Sequence, residues 1–144
     1  MPNEFVFVDT NIWVARIIED HVFHERAKNI LSSLSEKEEF LCTSGQIIRE
    51  LISVCSVGRF LSRPLTWEEL QQEIDALFAQ TVLLIENETT LQKLLELGSR
   101  YQVVGKQIHD TNIVATMLTH GVIRLVTFNS DDFKRFDEIE VIIP

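Results

Sequence analysis

Asp9 closes an unbroken apolar run, Phe5 to Val8, and is followed at once by the polar pair Thr10-Asn11. Asp110 precedes Ile113, Val114 and Met117 by three, four and seven residues, which puts a carboxylate on the apolar stripe of a helix-period segment. Glu50 borders the stripe of Ile47, Ile48, Leu51, Ile52 and Cys55, and Asp131 and Asp132 follow "LVTFNS". A carboxylate facing a core is costly unless something pairs with it. Two like charges ~4 Å apart repel by roughly 4 kcal/mol at an effective dielectric near 20, so clustered acids need protons or cations. Carboxylates with no Cys or His among them suit hard, oxygen-seeking ions, Mg²⁺ or Mn²⁺ over Zn²⁺.

Each acid also has a plainer reading. Asp9, Thr10 or Asn11 caps the helix that follows. Asp110 occupies a first turn, where the helix dipole welcomes an anion. Glu50 is a solvated surface residue, and acids after residue 128 are turn and cap residues. His21 and His24 lack a Glu or Cys companion and belong to a helix surface. The chain has neither a glycine-rich phosphate loop nor a G-x-S-x-G elbow.

The elements that must position these acids alternate. Strands are expected over Phe5–Asp9, Phe40–Ser44, Thr81–Ile85, Leu125–Phe128 and Val141–Ile143. Helices are expected over Ile12–Glu19, Val22–Leu34, Gln46–Val57, Leu91–Tyr101 and Ile108–His120, with a short one around Asp132–Phe136. Thr66-Trp67-Glu68-Glu69 is a capping box that opens a further helix, and Gly58 ends the one before it. Within Ile108–His120 the spacing puts Asn112, Thr116 and Thr119 on a polar face. This alternation predicts a three-layer α/β/α architecture around a parallel sheet of about five strands, in one domain over residues 1–144. Ligands of such sheets bind beyond the carboxyl ends of the strands, where Asp9 stands by position.

Composition narrows the classes. Hydrophobic residues make up 45% and no apolar run approaches the ~20 residues of a membrane span, so a soluble, cytoplasmic chain is expected. Cys42 and Cys55 lack metal-ligand spacing and read as buried thiols. Thirteen Lys and Arg against 22 Asp and Glu give a net charge of −9, which repels nucleic acid unless cations or a local basic patch intervene.

"FVFVDTNIW", Glu50 in "SGQIIRE", "IHDTNIVATMLTHG", "LVTFNSDDF" and the final "VIIP" together resemble the PIN-domain proteins, and among them the VapC-type toxins of toxin–antitoxin pairs. The resemblance spans the chain in order. It implies a metal-dependent endoribonuclease in which Asp9, Glu50 and Asp110 are the conserved acids and Asp132 is a fourth. Asp9, Asp110 and Asp132 would hold Mg²⁺ or Mn²⁺, polarising the scissile phosphate and acidifying a water. Glu50 would share an ion, hold that water or take its proton. Thr127 and Asn129 would support the site, and Asn129 stands where many members carry an acid. Arg49, Arg59, Arg63, Lys106, Lys134 and Arg135 are candidates for gripping RNA phosphates. A protein antitoxin and a homodimer are further implied, with Trp13, Phe60, Leu61 and Trp67 as candidate contact residues. The alternatives are a non-catalytic binding module of the same fold, or a nuclease or phosphatase acting on another phosphate ester.

Overall fold

The computed structural model describes residues 4–58 and 63–144. Arg59, Phe60 and Leu61 lie outside the described residues. Five strands, β1 (Phe5–Val8), β2 (Phe40–Ser44), β3 (Thr81–Leu84), β4 (Arg124–Val126) and β5 (Glu140–Ile142), form one sheet in the order β3-β2-β1-β4-β5. Every pairing is parallel, with Phe7 opposite both Cys42 and Leu125 and with Val8 opposite Val126. The helices are α1 (Thr10–Ile17), α2 (His24–Glu36), α3 (Gly45–Ser56), α4 (Trp67–Ala79), α5 (Glu88–Tyr101) and α6 (Gln107–Thr119). The neighbours α1–α2, α1–α3 and α3–α4 make one layer and α5–α6 the other, so the expected α/β/α sandwich is what the chain forms.

Chain direction explains that division. From β1 the chain steps to β2 and then β3, placing α1 to α4 on one face by right-handed crossovers. It then returns past β1 to β4, which carries α5 and α6 to the other face. Residues of the central strands, Val6, Phe7, Val8, Cys42, Leu125 and Val126, are therefore buried between two helical layers. The edge strand β3 differs, because Val82 and Leu83 are exposed. Cys42 and Cys55 are buried free thiols, and burial pushes the Cys42 thiol up to about 11.

Local chemistry sets several boundaries. Thr66 accepts from the Glu69 amide while the Glu69 carboxylate accepts from the Thr66 amide, so the capping box opens α4. After α3, Gly58 has φ +68, and a Cβ there would meet the Pro64 nitrogen at 2.7 Å. Glycine is needed for both reasons. Among the described residues no helix is long and apolar enough to cross a membrane.

Three expectations are corrected. Trp13 is fully buried beneath α1 and is unavailable to a partner copy, whereas Trp67 is exposed. The short helix expected around Asp132–Phe136 is a 3₁₀ turn at Ser130–Asp132, followed by the buried anchors Phe133 and Phe136. On the expected polar face of α6, Asn112 and Thr119 are partly exposed but Thr116 is buried. Thr111 and Thr116 are fully buried, each donating its hydroxyl to the carbonyl four residues back, which satisfies them inside the core.

Candidate active site

The sheet reverses its order of construction between β1 and β4, and a cleft of about 450 Å³ opens at their carboxyl ends. Asp9 follows β1 and Thr127 follows β4. The Asp9 amide donates to the Val126 carbonyl at 3.1 Å, and the Thr127 hydroxyl donates to Asp9 Oδ2 at 2.7 Å. Asp9 Oδ1 accepts from the Thr10 amide at 2.8 Å, so the residue both caps α1 and faces the cleft. Both readings of Asp9 therefore describe the same side chain.

Glu50 reaches the cleft from the second turn of α3. Its Oε1 accepts from the Thr10 hydroxyl at 2.7 Å and its Oε2 from Gln46 Nε2 at 3.0 Å. Gln46, buried, also donates to the His109 carbonyl at 2.8 Å and accepts from Asn112 Nδ2 at 2.7 Å. Gln46 thus ties α3 to the start of α6, where Asp110 projects into the same cleft. Asn11 makes the matching tie on the β4 side. Its amide donates to Thr127 Oγ1 at 3.2 Å and more weakly to Asp9 Oδ2 at 3.4 Å, and its carbonyl accepts from the Phe128 amide.

The electrostatics bear the mark of crowded acids. Burial, followed by the charges of Glu50 and Asp132, raises the Asp9 carboxyl to about 6 against the hydrogen bonds from Thr127 and Thr10. Burial raises Asp110 to about 7, with Asp132, Asp9 and Glu50 adding to the rise and Arg135 opposing it. Asp110 accepts no hydrogen bond among the described residues. These oxygen donors match a hard divalent cation in type and charge. As placed, no three Asp, Glu, His or Cys side chains among the described residues stand close enough to share one ion.

The other expected site residues divide. Asp132 is exposed and is not among the residues that line the cleft, though its charge acts on Asp9 and Asp110, and Asp131 lies 3.6 Å from Lys134. Asn129 lines the cleft, and its backbone N–H donates to Thr127 Oγ1 at 3.0 Å. Arg49 is exposed on α3, outside the residues that line the cleft. Arg63 follows the far end of α3 and is held by Glu69 through two bonds, 2.7 and 3.1 Å. Of the basic candidates among the described residues, Arg135 is the one whose charge acts on Asp110. Sequence reasoning missed Gln46 and Asn112 as positioning groups; the four-residue spacing from Gln46 to Glu50 on one helix face was the available signal. A larger cleft of about 740 Å³ lies by the amino ends of β2 and β3. Its lining mixes Glu19, Glu36, Glu39 and Glu73 with the cations Arg16 and Lys28, so its acids stand among basic side chains.

A family model described as PIN domain matches residues 6–139. The structure is similar to that of VapBC2 from Rickettsia felis, solved with a DNA fragment from their promoter. The TM-score is 0.74 at 19% identity, covering 97% of this chain and 98% of that one. It is similar also to Mycobacterium tuberculosis VapC20, described as a sarcin-ricin loop cleaving toxin, with TM-score 0.68 and 20% identity over 91% of this chain and 95% of that one. VapBC-1 from nontypeable Haemophilus influenzae gives TM-score 0.70 and 20% identity over 96% and 97%. At these identities the likeness is one of fold. No curated protein matches the chain in sequence.

Proposed function

The chain belongs to the PIN-domain family, and from that premise we propose that it is a single-domain, metal-dependent endoribonuclease of the cytoplasm, the toxin of a toxin–antitoxin pair. One observation carries the reading. Asp9, Glu50 and Asp110 come from three separate elements into one cleft at the sheet's switch point, where burial first, and the charges of the neighbouring acids after it, raise Asp9 to about 6 and Asp110 to about 7. Structural ion pairs do the opposite, lowering carboxyl pKa values.

Asp9, Asp110 and Asp132 would hold Mg²⁺ or Mn²⁺, which supplies charge neutralisation at the scissile phosphate and a more acidic water. The residues of the chain do the remainder. Thr127 and Asn11 fix Asp9 Oδ2, so that carboxylate needs no reorganisation. Thr10 and Gln46 each occupy one lone pair of Glu50, leaving its other lone pairs to orient a water and take its proton. Arg135, whose charge is felt at Asp110, would hold a backbone phosphate. A protein antitoxin that inserts an Arg among the carboxylates would silence the site by neutralising them. A homodimer is part of the proposal, through surfaces other than Trp13.

The test uses purified protein, single-stranded or looped RNA, and Mg²⁺ or Mn²⁺. Cleavage should vanish in excess EDTA and in Asp9→Asn, and expression of the chain alone should arrest growth in an Asp9-dependent way. Full activity in EDTA would sink the proposal.

The loop after β4 allows a finer ordering. Asp132 adds charge at both Asp9 and Asp110, while Asp131 is 91% exposed and faces Lys134. Asp132→Asn should therefore raise the metal requirement and depress turnover, and Asp131→Asn should be nearly silent. Asn129→Asp should tighten metal binding by adding a charge at the cleft. Manganese titrations of the three variants check the ordering, and the reverse outcome for residues 131 and 132 would overturn it.

A further inference from the structure

The cleft has a second side that phosphodiester chemistry does not use. Facing Asp9, Glu50 and Asp110 are Val14, Phe23 and Phe128. The two phenyl rings are stacked, with centroids 4.7 Å apart at 26°. The Arg26 guanidinium lies 4.8 Å from one centroid and 5.4 Å from the other, and its Nη2 donates to the Pro144 carbonyl at 2.6 Å. The His21 ring adds a third aromatic, 5.9 Å from Phe23, and burial lowers its pKa, which favours the neutral imidazole.

We propose that this aromatic wall stacks an unpaired nucleobase of the RNA strand whose phosphate lies at the carboxylates, an inference that rests on the nuclease reading above. Both rings pack against the core with part of their surface, and the remainder stays open to the cleft. Phe7 and Phe133 are fully buried, but Phe23 and Phe128 are only partly covered and line the cleft. Helix initiation does not account for Phe23. It occupies the N-cap of α2 and makes no side-chain cap bond, at a position where Ser, Thr, Asp or Asn is preferred. The wall is also joined to the acids. Asn11 accepts from the Phe128 amide and donates to Asp9 Oδ2, so one side chain spans the gap from carboxylate to aromatic residue. That span suits a phosphate and its own base.

Charge argues for a base as the occupant. With a net charge of −9, the chain gains little from general attraction to a polyanion, and a cation-dependent phosphate site needs a second, uncharged hold. Base–aromatic stacking supplies one that tolerates any sequence, because every base has a π-face. Arg26 against both rings fixes the platform before the strand arrives.

The experiment compares binding of two probes in the presence of Ca²⁺: a 12-nucleotide mixed-sequence RNA without secondary structure, and an abasic 12-mer with the same ribose-phosphate backbone. The wild-type protein should bind the RNA about tenfold more tightly. Phe23→Leu and Phe128→Leu should reduce that advantage to about threefold or less while leaving binding of the abasic chain unchanged, which also certifies the fold. Phe128→Tyr should retain the advantage. Equal binding of both probes by the wild-type protein would overturn the proposal whatever the variants do. So would an undiminished advantage in both Leu variants. Unchanged RNA binding with weakened inhibition by a protein partner would assign the wall to a protein side chain. Cation-dependent binding of the abasic chain without a base advantage defeats the wall alone. Absence of cation-dependent binding to either probe defeats the nuclease reading with it.

Discussion

Asp110→Asn should leave the protein without ribonuclease activity and, in EDTA, more stable than the wild type. The two effects have one origin. The Asp110 carboxyl is half-buried, accepts no hydrogen bond among the described residues, and is raised to about 7 first by burial and then by Asp132, Asp9 and Glu50. Its ionised form is therefore a cost to the cation-free fold at neutral pH. An amide of the same shape removes that cost. Because the group is half in solvent, the full shift overstates the gain, and about 1 kcal/mol is expected, or roughly 2–4 °C in Tm. If Asp110 served chiefly to favour the first turn of α6, the substitution would cost up to ~1 kcal/mol instead. Activity should fall by at least ~100-fold, since even indirect partners of a metal ligand cost 10–100-fold. Denaturant melts in EDTA, set beside cleavage assays in Mn²⁺, separate the two cases.

The pH dependence should run opposite to that of a protein stabilised by ion pairs, and a divalent cation should reverse it. Asp9 at about 6 and Asp110 at about 7 both lie above the ordinary 3.8. Between about pH 4 and 7 the unfolded chain has released these two protons while the folded chain still holds them. Stability must then fall as pH rises through that window and level off above it. For Asp9, which is almost wholly buried, the penalty at neutral pH is on the order of 3 kcal/mol. Glu69 at about 2, and Glu138, lowered against its burial by Tyr101 and Arg100, act in the other direction and lose their contribution only as pH falls below about 4. In EDTA the Tm should thus be higher at pH 5.5 than at pH 8. With millimolar Mn²⁺ the stabilisation should grow between pH 6 and 8, because binding requires the protons to leave. A Tm in EDTA that rises steadily from pH 5.5 to 8 would contradict the crowding of these carboxyls.

What the sequence disclosed follows the range over which its signals act. Phe40–Ser44 is read to the residue because a β-rich run there is bounded by charged Glu38-Glu39 and by a helix-period segment. The Thr66–Glu69 box is a three-residue pattern and was readable for the same reason. Asp9 and Asp110 stood out because a carboxylate interrupts an apolar run or stripe. The bond between Gln46 and Asn112 was silent, since a contact between residues 66 positions apart leaves no local trace, and only the Gln46–Glu50 spacing gave a sign of it. The burial of Thr116 on α6 was not legible because a threonine hydroxyl that bonds to its own helix can be buried, and spacing alone does not report that. Phe23 and Phe128 are 105 positions apart, and their meeting depends on β4 lying beside β1.

That same pairing has a kinetic consequence. Val8 waits for Val126, so the strand made first finds its inner neighbour only after more than a hundred further residues have been synthesised. Closure of so long a loop is among the slower steps a domain can require. The polypeptide emerging from a ribosome can assemble β1, β2 and β3 with α1 to α4 while one flank of β1 stays open. Thr127, which orders Asp9, does not yet exist in that species, nor do Asp110 and Asp132. On the proposed reading, a nascent chain that lacks these residues should be inert, and the site is completed only after the last strands are in place.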